Sequence, residues 1–124
     1  MTQNEKDLLL KDLCARLPYG VKFVIDNGQN NVRTLTGICE AIPYEDWQMC
    51  VFARDISAIP IEDIKPYLFP LSSMTWEQEC QYREVIASSL NHYEVYDWLN
   101  KNHFDYRNLI GKNLAIDCTN LNIY

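Results

Sequence analysis

The stretch that decides the fold is Ile59-Pro-Ile-Glu-Asp-Ile-Lys-Pro-Tyr-Leu-Phe-Pro-Leu-Ser-Ser-Met-Thr75, which separates a strand-like half of the chain from a helix-like half. Its prolines at positions 60, 66 and 70 remove three backbone donors and favour extended residues before them. We therefore predict that neither a helix nor a central strand runs through it. Because it is rich in large apolar side chains, it should lie across the rest of the fold as a proline-rich crossover that joins the two halves.

Length, composition and charge exclude several classes of protein. The chain has 124 residues, of which 48% are hydrophobic and 23% charged, so it is long enough to bury a core without disulfides or metal ions. We predict a single domain over residues 1–124. The net charge of -6 opposes contact with phosphate backbones and anionic membrane surfaces. With neither a signal-peptide pattern nor an apolar run of membrane-spanning length, we expect a cytoplasmic protein with no nucleic-acid partner and no membrane partner.

The first half of the chain begins with a helical pattern. Apolar residues at spacings of three and four predict a helix from Glu5 to Leu17, with Asp12 among the residues turned outward. Pro18 and Gly20 end it. The apolar stripe consists of Leu9, Leu10, Leu13, Cys14 and Leu17.

Three strands are predicted next, over 20–26, 32–42 and 47–54, and a short fourth around 56–59. A four-residue loop at 43–46 sets Cys39 directly opposite Cys50 and Gly37 opposite Phe52. Counting across the first loop sets Phe23 against Leu35. The result is an antiparallel meander of three to four strands, with a small closed barrel as a further option. One face is predicted to form the core, and it carries Val21, Phe23, Ile25, Leu35, Cys39, Ala41, Cys50 and Phe52.

Helical signals dominate the second half. Thr75 and Gln78 have the spacing of a capping box, which predicts a helix from Trp76 to about Ser89. Asn91 is placed to cap a second helix that runs to Lys101. Beyond it we expect a turn capped by Asp105 and ended by Gly111, an edge strand over 114–117, and a docked C-terminus. The predicted fold class is α+β: an N-terminal helix, the meander, the crossover and C-terminal helices.

The cysteines at 14, 39, 50, 80 and 118 are odd in number and lack C-x-x-C spacing, which favours buried thiols in a reducing compartment. Cys39 and Cys50 are the pair of interest, because opposed strand cysteines lie close enough to react or to share a metal ion. We favour two packed thiols, since a cross-strand disulfide strains its geometry and two ligands do not make a zinc site. Whether the pair is bonded stays open.

Catalytic signals are weak. A nucleophilic cysteine needs a base, and the histidines, His92 and His103, lie beside a predicted helix cap and in a turn, where a solvated or capping imidazole is the usual outcome. The carboxylate pairs at 45–46, 62–63 and 77/79 lie in turns and helix starts, where they favour the helix dipole. No hydrolase, nucleotide-loop, metalloprotease or dinucleotide signature is present. We predict no cofactor and no metal.

Aromatic residues give the better functional hint. Tyr44 and Trp47 lie at the tip of a predicted hairpin, where exposure for partner binding and burial in the core have equal weight. For Tyr67 and Trp98 we favour the core. Other candidate anchors are Trp76, Tyr93 and Tyr96.

Three blocks of the sequence carry a resemblance. They are Asp12-Leu-Cys-Ala-Arg-Leu-Pro-Tyr-Gly20, Lys65-Pro-Tyr-Leu-Phe-Pro-Leu-Ser-Ser-Met-Thr75 and His103-Phe-Asp-Tyr-Arg-Asn-Leu-Ile-Gly-Lys-Asn-Leu-Ala115. Together they resemble an uncharacterised family of short proteins encoded by gut Bacteroidales and their phages and prophages. The resemblance spans nearly the whole chain, implies a bacterial or phage cytoplasmic setting and supplies no catalytic residue.

Small accessory proteins of phages and mobile elements frequently bind host proteins, which is an argument by association. The sequence therefore leads to a non-enzymatic protein-binding or accessory module with an unidentified protein partner. Two alternatives stay open: a small enzyme with a Cys/His or carboxylate site, and a structural homo-oligomer.

Overall fold

The computed structural model of the protein describes residues 1–25, 29–43, 48–56 and 58–124, with the backbone alone at positions 29 and 30. The fold is α+β, as predicted. Its helices are α1 (Gln3–Arg16), α2 (Trp76–Ser88) and α3 (His92–Lys101). Its strands are β1 (Lys22–Ile25), β2 (Gln29–Thr34), β3 (Gly37–Ala41), β4 (Gln48–Phe52), β5 (Ile59–Pro60), β6 (Ile64–Pro70), β7 (Phe104–Asp105) and β8 (Ile116–Asp117).

The strands form two sheets rather than one meander. The first has the order β2-β1-β6-β7, and β8 also pairs with β6. Both β7 and β8 run parallel to β6, while β1 runs antiparallel to it. The second sheet is antiparallel, with the order β3-β4-β5. The barrel that we considered is therefore wrong for the described strands, because they are divided between two open sheets.

The chain passes from one sheet to the other between two consecutive residues. The backbone amide of Leu35 donates to Val21 in the first sheet, and that of Thr36 donates to Phe52 in the second. The single strand predicted over 32–42 is thus wrong. Phe23 pairs with Arg33 rather than with Leu35, because β2 already begins at Gln29 and the β1–β2 register shifts within β1.

The prediction that no central strand runs through the proline-rich stretch is also wrong. Strand β6 occupies the middle of the first sheet, with Pro66 opposite Phe23 and Pro70 at its end. A proline removes one donor but keeps a carbonyl acceptor and an extended φ, so the residues between the prolines still pair. The stretch nevertheless joins the two halves of the chain, because β6 pairs with β1 from the first half and with β7 and β8 from the second.

The core lies between α1 and the sheets. Its largest cluster of buried residues consists of Leu9, Leu13, Val21, Phe23, Ile25, Leu35, Val51, Ala53, Ile61, Ile64, Leu68, Leu109, Leu114 and Ala115. Five residues of the predicted core face are buried: Val21, Phe23, Ile25, Leu35 and Cys50. The predicted core face is wrong for the second sheet, because Val51 belongs to the core cluster and Ile38 and Met49 pack against it. On the opposite face, Cys39 is exposed and Ala41 and Phe52 are half-buried.

Two residues of helix α1 lie on the opposite side from the one predicted. Cys14, expected in the apolar stripe, is exposed, whereas Asp12, expected outside, is fully buried. The helix begins after Thr2, whose hydroxyl accepts from the Glu5 amide while the Glu5 carboxylate accepts from the Thr2 amide. Because Asp12 is buried, its carboxylate needs hydrogen-bond or ion-pair partners inside the protein.

The caps of the C-terminal helices are confirmed. Thr75 and Gln78 form the predicted capping box, with bonds of 2.9 and 3.2 Å, and Asn91 Oδ1 accepts from the Tyr93 amide at 3.0 Å. The C-terminus is docked as predicted, because the Tyr124 hydroxyl accepts from the Lys22 amide and donates to the Tyr67 carbonyl, both at 2.8 Å. Among the described helices, none has the length and apolar character needed to cross a membrane.

Candidate binding site

Helix α2 is attached to the fold by ring stacking rather than by buried side chains. None of its 13 residues is fully buried. Its Tyr82 ring stacks on Trp98 of α3 with centroids 5.5 Å apart, and Trp98 stacks in turn on Phe104 at 5.7 Å. Such pairs each add about 0.5–1.5 kcal/mol beyond the area they bury. The helix thus has one inward row of contacts, and its remaining surface faces solvent.

Large apolar side chains are exposed along this helical layer. They are Trp76 at 77% exposure, Ile86 at 50%, Leu90 at 98%, Tyr93 at 77% and Tyr96 at 46%. Single exposed apolar residues are ordinary, but several along one layer are typical of an interaction surface. Trp76, Tyr93 and Tyr96 are among the aromatic residues that the sequence suggested as anchors.

The cleft between α2 and α3 has a volume of about 550 Å³, which is within the size range of ligand sites. We call it the α2–α3 cleft. Its apolar and aromatic lining consists of Tyr82, Ile86, Leu90, Val95, Tyr96, Leu99 and Tyr106. Ser89, Asn91 and His92 supply its polar rim, so neither an acid nor a lysine or arginine lines it.

A second pocket, of about 580 Å³, adjoins this cleft, and we call it the Arg107 pocket. Its lining consists of Lys11, Ala15, Tyr93, Tyr96, Asp97, Asn100, Tyr106 and Arg107. Tyr96 and Tyr106 line both cavities, with ring centroids 5.1 Å apart. The apolar cleft and the charged pocket therefore form one continuous surface that meets at this pair of rings.

A buried ion network lies beside the Arg107 pocket. Asp12 and Arg16 are both fully buried, and Arg16 Nε donates to Asp12 Oδ2 at 2.8 Å. Arg107 Nη1 donates to the other oxygen, Oδ1, at 2.9 Å. Arg16 Nη2 also donates to the Phe104 carbonyl at 2.6 Å, which leaves Nη1 buried without a partner among the described residues. One carboxylate thus holds two guanidinium groups.

The ring of Tyr106 lies close to both guanidinium groups of the network. Its ring centroid is 4.6 Å from the Arg107 guanidinium carbon and 5.4 Å from that of Arg16. Its hydroxyl donates to Asn100 Oδ1 at 2.9 Å, and Asn100 is 4% exposed. These contacts fix a ring that lines both cavities, and cation–π attraction contributes to them.

The turn that carries Arg107 is organised by Asp105. Its carboxylate accepts from the backbone amides of Arg107, Leu109 and Ile110 at 2.9–3.2 Å, which confirms that Asp105 caps this turn. A Cβ at Gly111 would lie 2.3 Å from Asn108 Oδ1, a contact that the exposed Asn108 side chain can relieve by moving. Both oxygens of Asp105 are engaged by backbone amides and are thereby fixed within the turn.

Sequence reasoning missed this network because it placed Asp12 on the solvent side of α1. One signal was present, since Asp12 and Arg16 have the i, i+4 spacing of a helical ion pair. The contribution of Arg107, 95 positions away, has no local signature.

Of the two residue pairs that the sequence singled out, the one that the structure describes, Cys39 and Cys50, lies outside the lining of the α2–α3 cleft and the Arg107 pocket. Tyr44 and Trp47 lie outside the described residues. Cys39 and Cys50 are directly opposite in β3 and β4, as predicted, and both thiols are free. Cys39 is exposed and Cys50 buried, and burial together with the nearby Cys39 raises the pKa of the Cys50 thiol.

Histidine and cysteine side chains in the C-terminal half are engaged in packing. The His103 ring stacks on Tyr124 with centroids 3.7 Å apart, and burial with the nearby charges of Arg16 and Lys22 lowers the pKa of His103 to about 4. Burial raises the pKa of Cys118 to about 11, so this thiol is a poor nucleophile at neutral pH. In the part of the chain that the structure describes, no group of three or more His, Cys, Asp or Glu is placed to hold a metal ion.

The fold and the site define an α+β protein with an exposed aromatic layer of two helices beside a charged pocket. Comparisons with protein-family models, with curated proteins and with solved structures found no match to this chain.

Proposed function

We propose that the protein is a non-enzymatic binding module that docks a partner protein on the outer surface of the α2–α3 layer. The observation that carries this proposal is that α2 buries no residue fully while Ile86 and Leu90 stay exposed beside the α2–α3 cleft. The resemblance to short proteins of gut Bacteroidales and their phages adds a setting to the proposal, in which the partner is a bacterial host protein in the cytoplasm.

The energetics of this surface suit association. Burying a leucine or aromatic side chain contributes about 1.5–3 kcal/mol, so Leu90 with one or two aromatic neighbours supplies much of a micromolar affinity. Tyr93 and Tyr96 have few rotatable bonds and are the residue type that dominates interface energetics. The short connection between α2 and α3 holds these side chains on one layer before a partner arrives, which lowers the entropic penalty of binding.

The protonation states of His103 and Cys118 argue against a catalytic role for these two residues. His103 is neutral at neutral pH but is stacked on Tyr124, and Cys118 stays protonated. A Cys/His enzyme needs a thiolate beside an accessible base. These two groups support the fold instead.

Capture from a bacterial lysate tests the proposal. The bait proteins are the wild type, the double variant Ile86→Ser/Leu90→Ser, and Leu121→Ser as a matched control. Leu121 is also exposed, at 51%, and lies outside the α2–α3 layer. We expect a protein that the wild type and the control retain and that the double variant loses at least tenfold, with all three baits equally folded by circular dichroism.

Two results contradict the proposal. One is a partner that all three baits retain equally, which moves the docking surface elsewhere. The other is self-association alone, seen as a concentration-dependent mass in sedimentation that the double variant abolishes. That second result favours the homo-oligomer, because the same apolar surface then serves a second copy of the chain.

A further inference from the structure

We propose that the partner segment bound in the α2–α3 cleft carries an aspartate or glutamate beside its apolar anchors, and that Arg107 and Lys11 bind this carboxylate in the Arg107 pocket. The inference rests on the proposed function and adds the chemistry of the partner to it.

Continuity of the two cavities is the first argument. The α2–α3 cleft takes apolar side chains, because neither an acid nor a lysine or arginine lines it. It meets the Arg107 pocket at the rings of Tyr96 and Tyr106. A short peptide whose apolar residue occupies the cleft therefore places a neighbouring side chain in the pocket.

The charge of the pocket is the second argument. Two cationic side chains, Lys11 and Arg107, line it against one acid, Asp97. Lys11 is exposed on α1 and forms no ion pair with the described residues. A carboxylate is the complementary group, and arginine binds it with parallel hydrogen bonds.

Arg107 has donors to spare. Among the described residues, its side-chain hydrogen bond is the one from Nη1 to Asp12, whose other oxygen accepts from Arg16. A guanidinium group has five N–H donors, so most of those of Arg107 are available to a ligand. Its side chain is 16% exposed, which leaves it reachable but partly desolvated.

The guanidinium group is also held in place before binding. The Asp12 bond fixes one end, and the Tyr106 ring lies 4.6 Å from its central carbon. Asn100, whose Oδ1 accepts from Tyr106, has an Nδ2 that makes no hydrogen bond with the described residues and adds a neutral donor to the pocket. A preorganised donor set loses little entropy when it binds an anion.

Acidic residues elsewhere on α2 and α3 would favour a basic partner segment rather than an acidic one. Glu77, Glu84 and Glu94 are exposed on α2 and α3 and would attract a basic partner. They line neither the α2–α3 cleft nor the Arg107 pocket, so they act at longer range, where salt screens them. An acidic segment inside the cavities and a basic one outside them are thus distinguishable outcomes.

Selection from a random twelve-residue peptide display library tests the inference with defined probes. Peptides enriched on the folded wild-type protein are synthesised with each acidic residue present or replaced by its amide, Asp→Asn or Glu→Gln. Affinities are measured by fluorescence anisotropy on the wild type, on Lys11→Met and on Arg107→Met. Lys11 is exposed, so Lys11→Met reports on binding even if Arg107→Met lowers stability.

We expect the selected peptides to contain apolar residues with an adjacent acid, and the acid-to-amide change to weaken binding to the wild type about tenfold. The same change should weaken binding to Lys11→Met or Arg107→Met by threefold or less. Enrichment of basic peptides, or an acid-to-amide effect that is the same on all three proteins, overturns the carboxylate assignment. If peptides bind but ignore both charge changes while Ile86→Ser/Leu90→Ser abolishes binding, the proposed function stands and this inference fails. If no peptide is enriched over bare resin, both fail.

Discussion

Asp12 and Arg107 lie 95 positions apart in the chain and form an ion pair of 2.9 Å between helix α1 and the turn after β7. Arg16 binds the other oxygen of the same carboxylate, and both Asp12 and Arg16 are fully buried. The N-terminal helix and the C-terminal turn are therefore held together through one carboxylate, at the point where the Arg107 pocket begins.

Removing that carboxylate should destabilise the protein strongly. In Asp12→Ala, the buried guanidinium of Arg16 loses its counter-ion, and an uncompensated buried charge costs about 3–5 kcal/mol. The free energy of unfolding from urea titration measures this change. The neighbouring exposed position provides the control, because Lys11→Ala should change the free energy of unfolding by about 0.5 kcal/mol or less.

An apolar replacement of the pair sharpens this test. Asp12→Leu combined with Arg16→Met removes the two fully buried charges and leaves only the partly exposed Arg107 without its partner, so it should destabilise the protein less than Asp12→Ala does. If the single variant is as stable as the wild type, the network contributes nothing and the pocket beside it lacks the rigid guanidinium that we describe.

Local patterns in the sequence predicted the helices better than the sheets. The capping box at Thr75 and the cap at Asn91 each depend on residues no more than three positions apart, so both can be predicted from the sequence. The register of Cys39 opposite Cys50 is confirmed for the same reason, since β3 and β4 are neighbours in the chain.

Pairing between distant segments was not predictable. Strand β6 pairs with β1, 39 to 43 positions earlier, and runs parallel to β7 and β8. Such pairing leaves no local pattern, whereas the prolines at 66 and 70 are typical of a strand edge or a break. The break between Leu35 and Thr36 depends on two different acceptors, Val21 and Phe52, that a local period does not reveal. The burial of Asp12 could not be predicted either, because its partner Arg107 lies 95 positions away and no local pattern links the two residues.

The candidate site was found in part. Aromatic content pointed to Tyr93, Tyr96 and Trp76, which are exposed, and this is the part of the site that composition alone can indicate. The pocket around Arg107 joins residues of α1, α3 and a C-terminal turn, so it exists only after folding.

The cysteine pair gives a second prediction. Cys39 is exposed and Cys50 is buried, with burial raising the pKa of the Cys50 thiol. Since the thiolate is the reactive species, we expect a thiol reagent at pH 8 to modify Cys39 within minutes and Cys50 at least tenfold more slowly. Peptide mapping by mass spectrometry locates the label. Cys14, which is also exposed, is the internal control for rapid modification, and equally rapid labelling of Cys50 would contradict its burial.

The stability of the protein should depend on the protonation of His103. Its pKa in the folded state is lowered from 6.5 to about 4, chiefly by burial and then by Arg16 and Lys22. The unfolded state therefore binds more protons between these two pH values, so stability is highest above pH 6.5 and falls as the pH decreases towards 4. The loss attributable to this group is at most about 3 kcal/mol, and partial access of solvent reduces it.

Comparison of variants isolates this contribution from that of the carboxylates. His103 has a φ of 63°, which asparagine tolerates better than most residues, so His103→Asn removes the titration with little backbone strain. We expect the free energy of unfolding of His103→Asn to fall less steeply from pH 6.5 to 4 than that of the wild type. His92→Asn, at the exposed start of α3, should retain the wild-type slope. Identical slopes for all three proteins would show that His103 titrates normally.

The attachment of α2 by stacked rings leads to the last prediction. Tyr82 stacks on Trp98, and α2 has no fully buried residue, so Tyr82→Ala should release this helix without unfolding the sheets. Loss of the ring contact and of its buried area should lower the free energy of opening α2 by about 2 kcal/mol, which corresponds to roughly 30-fold faster amide exchange in this helix. Hydrogen exchange with mass spectrometry measures protection in α2 and in β1 and β6 of the same sample. Arg83→Ala, on the exposed side of the same helix, should exchange like the wild type. Equal loss of protection in α2, β1 and β6 would mean that the helix unfolds only together with the core.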